Sequence, residues 1–240
     1  MAERLDDLQN RGLSIYQDPE DFCFGTDAVL LAHFPALRRG ERVVDLGCGG
    51  GILPLLMSAR RADATFVGLE IQPHLADRAR RSVAHNGLTD RIAIHTLDLR
   101  QAAQRLGKGG FDLAVCNPPY QPVTAAAPGE RESRRIARQE VCCTLADALA
   151  AAADLLRGGG RLALVHQPSR MADLMVGLRA VGLEPKRARM VAPAADRAPY
   201  IVLIEAVKGA RPTLDWMPTL ALYGPDGAYT PEVAAIYQGR

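Results

Sequence analysis

The sequence predicts an α/β fold, an open Rossmann-like sheet, mostly parallel, with helices on both faces. Three observations carry that expectation. Short apolar or β-branched runs alternate with longer stretches of helical periodicity along most of the 240 residues, as the strands and crossover helices of a parallel sheet do. A glycine-rich turn, DLGCGGG, stands between the first such run and the first helical pattern, the place where open α/β sheets take nucleotides. Three successive strands also end on acids, Asp45, Glu70 and Asp98.

The elements follow in order. Strands are expected at Arg42 to Gly47, Thr65 to Ile71, Ile92 to Asp98, Phe111 to Asn117 and Arg161 to Gln167. Two more follow at Lys186 to Ala192 and Tyr200 to Val207, which makes seven. Helices fill the gaps at Ile52 to Ala59, Pro73 to His85, Ile136 to Leu156 and Arg170 to Val181. Pro54 agrees with a helix start, because the first turn has no internal acceptors to lose. Gly158-Gly159-Gly160 closes the longest helix and turns the chain back into a strand. Two stretches break the rhythm: the turn Gly107 to Gly110 and the polar insertion Thr124 to Arg138. The expected organisation is an amino-terminal segment, 1–40, carrying FGTDAVLLA and packing on the core; a sheet domain, 41–208; and a short extension, 209–240, docked on that domain.

Composition narrows the class. A hydrophobic fraction of 48% is ordinary for a folded globular chain. No apolar run approaches the ~20 residues of a membrane helix, and the amino terminus is charged where a signal peptide is apolar, so a cytoplasmic location is expected. The five cysteines lack paired metal spacing and read as reduced thiols. His33, His74, His85, His95 and His166 are scattered, so no metal site is expected. His166 ends a strand near the expected crevice, where it could line a pocket or serve as a structural histidine. A net charge of +2 does not by itself announce nucleic acid.

The glycine turn is not a dinucleotide fingerprint, because Ile52 stands where G-x-G-x-x-G needs its last glycine, and without a lysine it is not a P-loop. Three carboxylates at the carboxyl edge of the sheet would repel phosphate. They suit S-adenosylmethionine, which has a sulfonium, an ammonium and no phosphate. Glu70, about 20 residues past the turn, fits a ribose acceptor. Asp98 fits the adenine amino group, while Gly47, Gly49 and Gly51 let backbone approach the methionine portion. Each acid could instead merely cap the next helix.

DLGCGGG, GLEIQ and LDL resemble the cofactor motifs of class I S-adenosylmethionine-dependent methyltransferases. The resemblance implies a seven-stranded sheet with its last strand antiparallel, and it adds Asp45, Ile71 and Leu99 to the cofactor-binding set.

Asn117-Pro118-Pro119-Tyr120 ends the fourth strand, beside the first, where strand order should reverse and a crevice open. Two prolines make that end rigid. A ring-conjugated amine is a weak nucleophile because its lone pair is delocalised. The Asn117 side-chain oxygen and the Pro118 carbonyl, accepting its hydrogens, would localise that pair, and Tyr120 offers a face for stacking. A rigid loop with a packed tyrosine is the plain alternative. NPPY resembles the motif of methyltransferases acting on adenine, guanine or protein glutamine.

FCFGTDAVLLAHF (Phe22 to Phe34), EIQPHLADRARRSVAHN, IARQE and GPDGAYTPEVAAIY extend the likeness over nearly the whole chain. Together they resemble a bacterial family that methylates tRNA(Val) on the adenine next to the anticodon. This implies tRNA as substrate and places Thr26 and Asp27 beside the cofactor's methionine end; Thr26 also reads as a helix start. Arg131, Arg134, Arg135 and Arg138, with Lys186, Arg187 and Arg189, could hold RNA phosphates. Glu130 and Glu132 equally allow a self-paired helix start in the first group. A glutamine methyltransferase of release factors is the runner-up, although only about forty residues precede Asp45, few for the separate helical domain such enzymes carry. A cofactor-binding module that holds RNA without catalysis is the non-enzymatic alternative. No obligate protein partner is indicated.

Overall fold

The run Val43 to Leu46 is buried throughout, as a central parallel strand must be. A computed structural model describing residues 3–21, 23–120 and 143–239 builds a sheet around it. Arg42–Leu46 forms β3, Thr65–Glu70 β4, Ile92–Thr96 β5, Phe111–Cys116 β6 and Leu156–His166 β7. These five are mutually parallel, in the order β5-β4-β3-β6-β7. Beyond β7 lie β9 (Ile201–Lys208), antiparallel to it, and β8 (Leu183–Ala192), antiparallel in turn to β9. Strand order reverses at β3, which pairs β4 on one side and β6 on the other, so a crevice opens between their carboxyl ends.

Among the described residues the sheet has eight strands where seven are expected. The additional one, β10 (Asp215–Ala221), lies in the carboxy-terminal extension and pairs parallel to β8 at the edge. Pro218 hides it from a pattern reading, yet proline is tolerated on an edge strand at an irregularity, and the register shifts between Met217 and Leu220. A second element without a pattern is a separate hairpin, β1 (Arg4–Asp7) with β2 (Ser14–Gln17), whose strands of four residues are too short to show periodicity.

Helices α1 (Thr26–His33), α2 (Ile52–Arg60), α3 (Pro73–His85) and α7 (Pro231–Tyr237) cover one face of the sheet. The other is covered by α4 (Ala102–Leu106), α5 (Leu145–Leu155) and α6 (Met171–Ala180). β6 alternates between the two cores, with Leu113 and Val115 facing the first and Ala114 and Cys116 the second. α5 starts at Thr144, whose side chain and that of Asp147 cap each other's backbone amides. That is later than the expected start at Ile136, which lies outside the described residues. The triple glycine sits within β7, between its pairing at Leu156 and its pairing at Arg161, with Gly159 at φ +72°. A short helical stretch, Leu99 to Leu106, is also present without having been expected.

At the end of the sheet away from the crevice, Arg161 is only 4% exposed and pairs with Glu41 at 2.6 Å and Glu205 at 3.2 Å. Removing the guanidinium would take the ion-pair partner from buried Glu41 and leave buried Glu205 with Arg187 alone, at 3.4 Å. Arg161→Ala is expected to cost about 3–5 kcal/mol of stability, readable as a lowered urea midpoint; an unchanged midpoint would mean the network contributes nothing.

Candidate active site

β3 delivers Asp45 to the crevice, followed by Gly47 (φ +78°) and Gly49 (φ +53°) in backbone shapes that a side chain would strain. Gly51, at φ +88°, caps α2, and a Cβ there would meet Ala79 at 3.2 Å. β4 delivers Glu70, which fastens the turn: one carboxylate oxygen accepts from Gly49 N and the other from Gln72 N, both at 2.9 Å. Burial raises its pKa. Asp98 caps the short helical stretch after β5, accepting from Arg100 N at 2.9 Å and pairing with the Arg100 guanidinium at 2.5 Å. That hydrogen bond is the first cause of its lowered pKa. Capping and a ligand role remain compatible, since two carboxylate oxygens can accept about four hydrogen bonds.

Asp45 differs from both. It is 2% exposed, and neither carboxylate oxygen has a hydrogen-bond partner among the described residues. Burial, then the nearby charge of Glu70, push its pKa well above the carboxylate range. A buried carboxylate left without a partner is a costly arrangement, and a cationic ligand in the cleft would relieve it. Asp45, Gly47, Gly49, Glu70, Ile71, Asp98, Leu99 and Asn117 all line one cleft at this edge. The donor set therefore fits a ligand with positive charge and hydroxyl or amino donors.

Asn117, Pro118 and Pro119 lie on the same cleft. The Asn117 amide donates to Asp27 Oδ2 at 3.2 Å. The Tyr120 hydroxyl lies 2.8 Å from that same oxygen and 2.5 Å from Asn117 Oδ1, and its one proton serves one of them at a time. Burial, reinforced by Asp27, raises the Tyr120 pKa and keeps the phenol protonated. Its half-buried ring packs against the core with its centroid 5.2 Å from that of His166.

Asp27 stands against the Asn117-to-Tyr120 motif, where it holds Asn117, and its neighbour Thr26 accepts from the Tyr237 hydroxyl at 3.2 Å. His166 is fully buried. Its Nδ1 accepts from Gln167 N at 2.8 Å, and burial lowers its pKa to about 4, so the ring is neutral and packed. Lys186 is spent on Thr213 and the Arg211 carbonyl. Arg187 is spent on the Phe34 carbonyl, the Phe34 ring and Glu205. Arg189 pairs with Glu232. Phe22, Cys142, Arg131, Arg134, Arg135 and Arg138 lie outside the described residues.

The cleft also has contributors with little sequence signal. Ile15, Tyr16 and Gln17 of the β1–β2 hairpin line it, as does Phe24. The hairpin is held on α3 by Ser14 N to Asn86 Oδ1, 2.9 Å, and Tyr16 N to Ser82 Oγ, 3.0 Å. Those partners are some seventy residues away in sequence, so only the fold reveals them. Among the described residues, no group of three His, Cys, Asp or Glu is arranged to hold a metal, and no helix is long and apolar enough to cross a membrane.

Residues 20–179 match the methyltransferase small domain family. A tRNA1(Val) (adenine(37)-N6)-methyltransferase of Porphyromonas gingivalis is 32% identical over 221 residues, covering 88% of this chain and 86% of that protein. Its namesake from Parabacteroides distasonis is 28% identical, covering 82% of each. Among solved structures, a predicted O-methyltransferase from Agrobacterium tumefaciens superposes with a TM-score of 0.75 at 24% identity, over 90% of this chain and 97% of that one. That likeness supports the fold. Match and relatives together place the chain in the methyltransferase small domain family, alongside the tRNA1(Val) (adenine(37)-N6)-methyltransferases.

Proposed function

We propose that this chain transfers a methyl group from S-adenosylmethionine to N6 of an adenine in tRNA, adenine 37 beside the anticodon of tRNA(Val), in the cytoplasm. The observation that carries the reading is Asn117: it directly follows β6 at the switch point, its amide is held by Asp27, and it opens on the cleft that contains Asp45, unpartnered among the described residues.

When bound, the cofactor supplies an electrophilic methyl group on a sulfonium. The chain's own part is binding and alignment. Asp45 balances positive charge, Glu70 accepts from ribose hydroxyls and Asp98 from the adenine amino group, while Gly47, Gly49 and Gly51 keep the turn clear of side chains. Ile71 and Leu99 supply apolar walls. Asn117 Oδ1 and the Pro118 carbonyl accept the hydrogens of the substrate amine and draw its lone pair toward nitrogen. Asp27 fixes which way the amide faces, because only the NH2 side can donate to a carboxylate. Tyr120 can give its proton wholly to Asp27, which leaves Asn117 Oδ1 for the amine. Pro118 and Pro119 hold this edge rigid, so the alignment is present before substrate arrives. Arg131, Arg134, Arg135 and Arg138 are the proposed phosphate contacts; Lys186 and Arg187, committed within the fold, are left out of that set.

The experiment supplies labelled S-adenosylmethionine with tRNA lacking the modification and analyses the nucleosides of the product. Label in N6-methyladenosine at position 37 of tRNA(Val) is the expected result. Label in a release factor with none in RNA would overturn the substrate while keeping the NPPY chemistry.

A further inference from the structure

Three tyrosines of the carboxy-terminal extension stand in a row. The Tyr223 and Tyr229 rings are 5.1 Å apart and 15° from parallel, and Tyr229 and Tyr237 are 5.0 Å apart at 11°. The turn Gly224-Pro225-Asp226-Gly227 sets the first pair. Gly224 N donates to Ala228 O, Asp226 accepts from Ala228 N, and Tyr223 and Tyr229 meet as a β-bridge. The row ends beside the proposed chemistry: the Tyr237 hydroxyl donates to Thr26, whose chain neighbour Asp27 holds Asn117.

Topology places this row at the reacting edge. β8 and β10 run in the direction of β6, so the loop after β8 and the turn after β10 emerge where Asn117 does. The loop, residues 193–200, carries Tyr200 and is tied to the row by Tyr223 N donating to Pro193 O at 2.9 Å. Tyr200 lies close enough to Asp27 that this charge, after burial, raises its hydroxyl pKa to about 12. Tyr200, Tyr223 and Tyr229 remain 39%, 41% and 40% exposed, three of seven large apolar side chains so exposed among the described residues. Arg197 of the same loop is exposed and has no side-chain hydrogen bond or ion pair among the described residues.

A cross-strand tyrosine pair alone would explain the turn. It would not explain a third ring, a fourth tyrosine from another loop, and an uncommitted arginine gathered at the edge where the reacting base must enter. We propose that Tyr200 and Tyr223, the end ring of the row with Tyr229 stacked behind it, form a stacking platform for unpaired RNA nucleotides flanking the reacting adenine, with Arg197 on their phosphates. The proposal rests on the RNA reading above. Its chemistry is general: every base has a π-face that a tyrosine can take, single-stranded loops expose those faces, and a cation beside them neutralises the backbone. An adenine drawn out of its stack leaves neighbours that need such support.

The test measures binding of an unmodified anticodon stem-loop RNA at fixed salt by fluorescence anisotropy. Tyr223→Leu and Tyr200→Leu should each raise Kd by ~5- to ~150-fold, while the phenylalanine variants, which keep the ring, should stay near wild type. S-adenosylmethionine affinity and the melting midpoint, which a merely structural role would move, should not change. Should a leucine variant be destabilised, exposed Arg197→Ala decides instead: the salt dependence of RNA binding should become shallower by about 0.7 in log–log slope, one phosphate contact on a single strand. Wild-type protein that methylates tRNA, with leucine and Arg197 variants that bind RNA unchanged, overturns the platform and leaves the proposed function standing. Wild-type protein that neither binds nor methylates RNA overturns both.

Discussion

Asn117→Ala is expected to lower kcat for methyl transfer by about 100-fold or more, the scale of removing one preorganised polar group from a transition state, with cofactor affinity changed less than about twofold. The split follows from position. Asn117 lines the cleft just past β6, whereas the proposed charge-bearing cofactor contacts are Asp45 on β3, Glu70 on β4 and Asp98 after β5. Removing an interaction made in the transition state, and not in binding, lowers kcat and kcat/KM together. Folding should change little, because Asn117 is half-buried and Asp27 keeps Tyr120 as a donor after the amide is lost. Single-turnover rates beside calorimetric cofactor titrations would measure both quantities. Turnover within about threefold of wild type would remove Asn117 from the chemistry, however well its neighbours are placed.

Much of this frame is legible in the chain. Val43 to Leu46 and Phe111 to Cys116 are apolar runs bounded by turn residues, and the fold makes them adjacent strands. Pro73 at the first helical position and Asn86-Gly87 just beyond the last fix α3 within the bounds its sequence suggests. Acids at strand ends are legible for the same reason: in a parallel sheet, sequence position maps directly to one edge. What escapes the pattern is contact over long separation. Asp27 meets Asn117 across 90 residues, and Tyr237 meets Thr26 across 211. No local periodicity encodes either pair. Lys186 and Arg187 read as cations for RNA because charge in sequence carries no information about partners, and the fold supplies Thr213, Phe34 and Glu205.

Asp45→Asn is expected to stabilise the ligand-free protein and to weaken S-adenosylmethionine binding by about 2 kcal/mol or more, roughly thirtyfold. Opposite signs distinguish a ligand-directed carboxylate from a structural one. The carboxylate is buried, has no hydrogen-bond partner among the described residues and sits near Glu70, so its pKa lies well above the ordinary 3.8. The folded state therefore holds more protons than the unfolded chain from about pH 3.8 upward, and ligand-free stability falls as pH rises through that window to the raised value. Asparagine has no proton to lose, so the variant should lack this part of the decline. Binding of a cation runs the other way. It favours the ionised carboxylate, so wild-type affinity should tighten as pH rises through the same window, with release of a proton, while the Asp45→Asn affinity stays flatter. Melting curves and calorimetric titrations across pH would read both. A variant that binds cofactor as tightly as wild type at every pH would show that Asp45 does not face the ligand's charge, and the buried carboxylate would then need another partner.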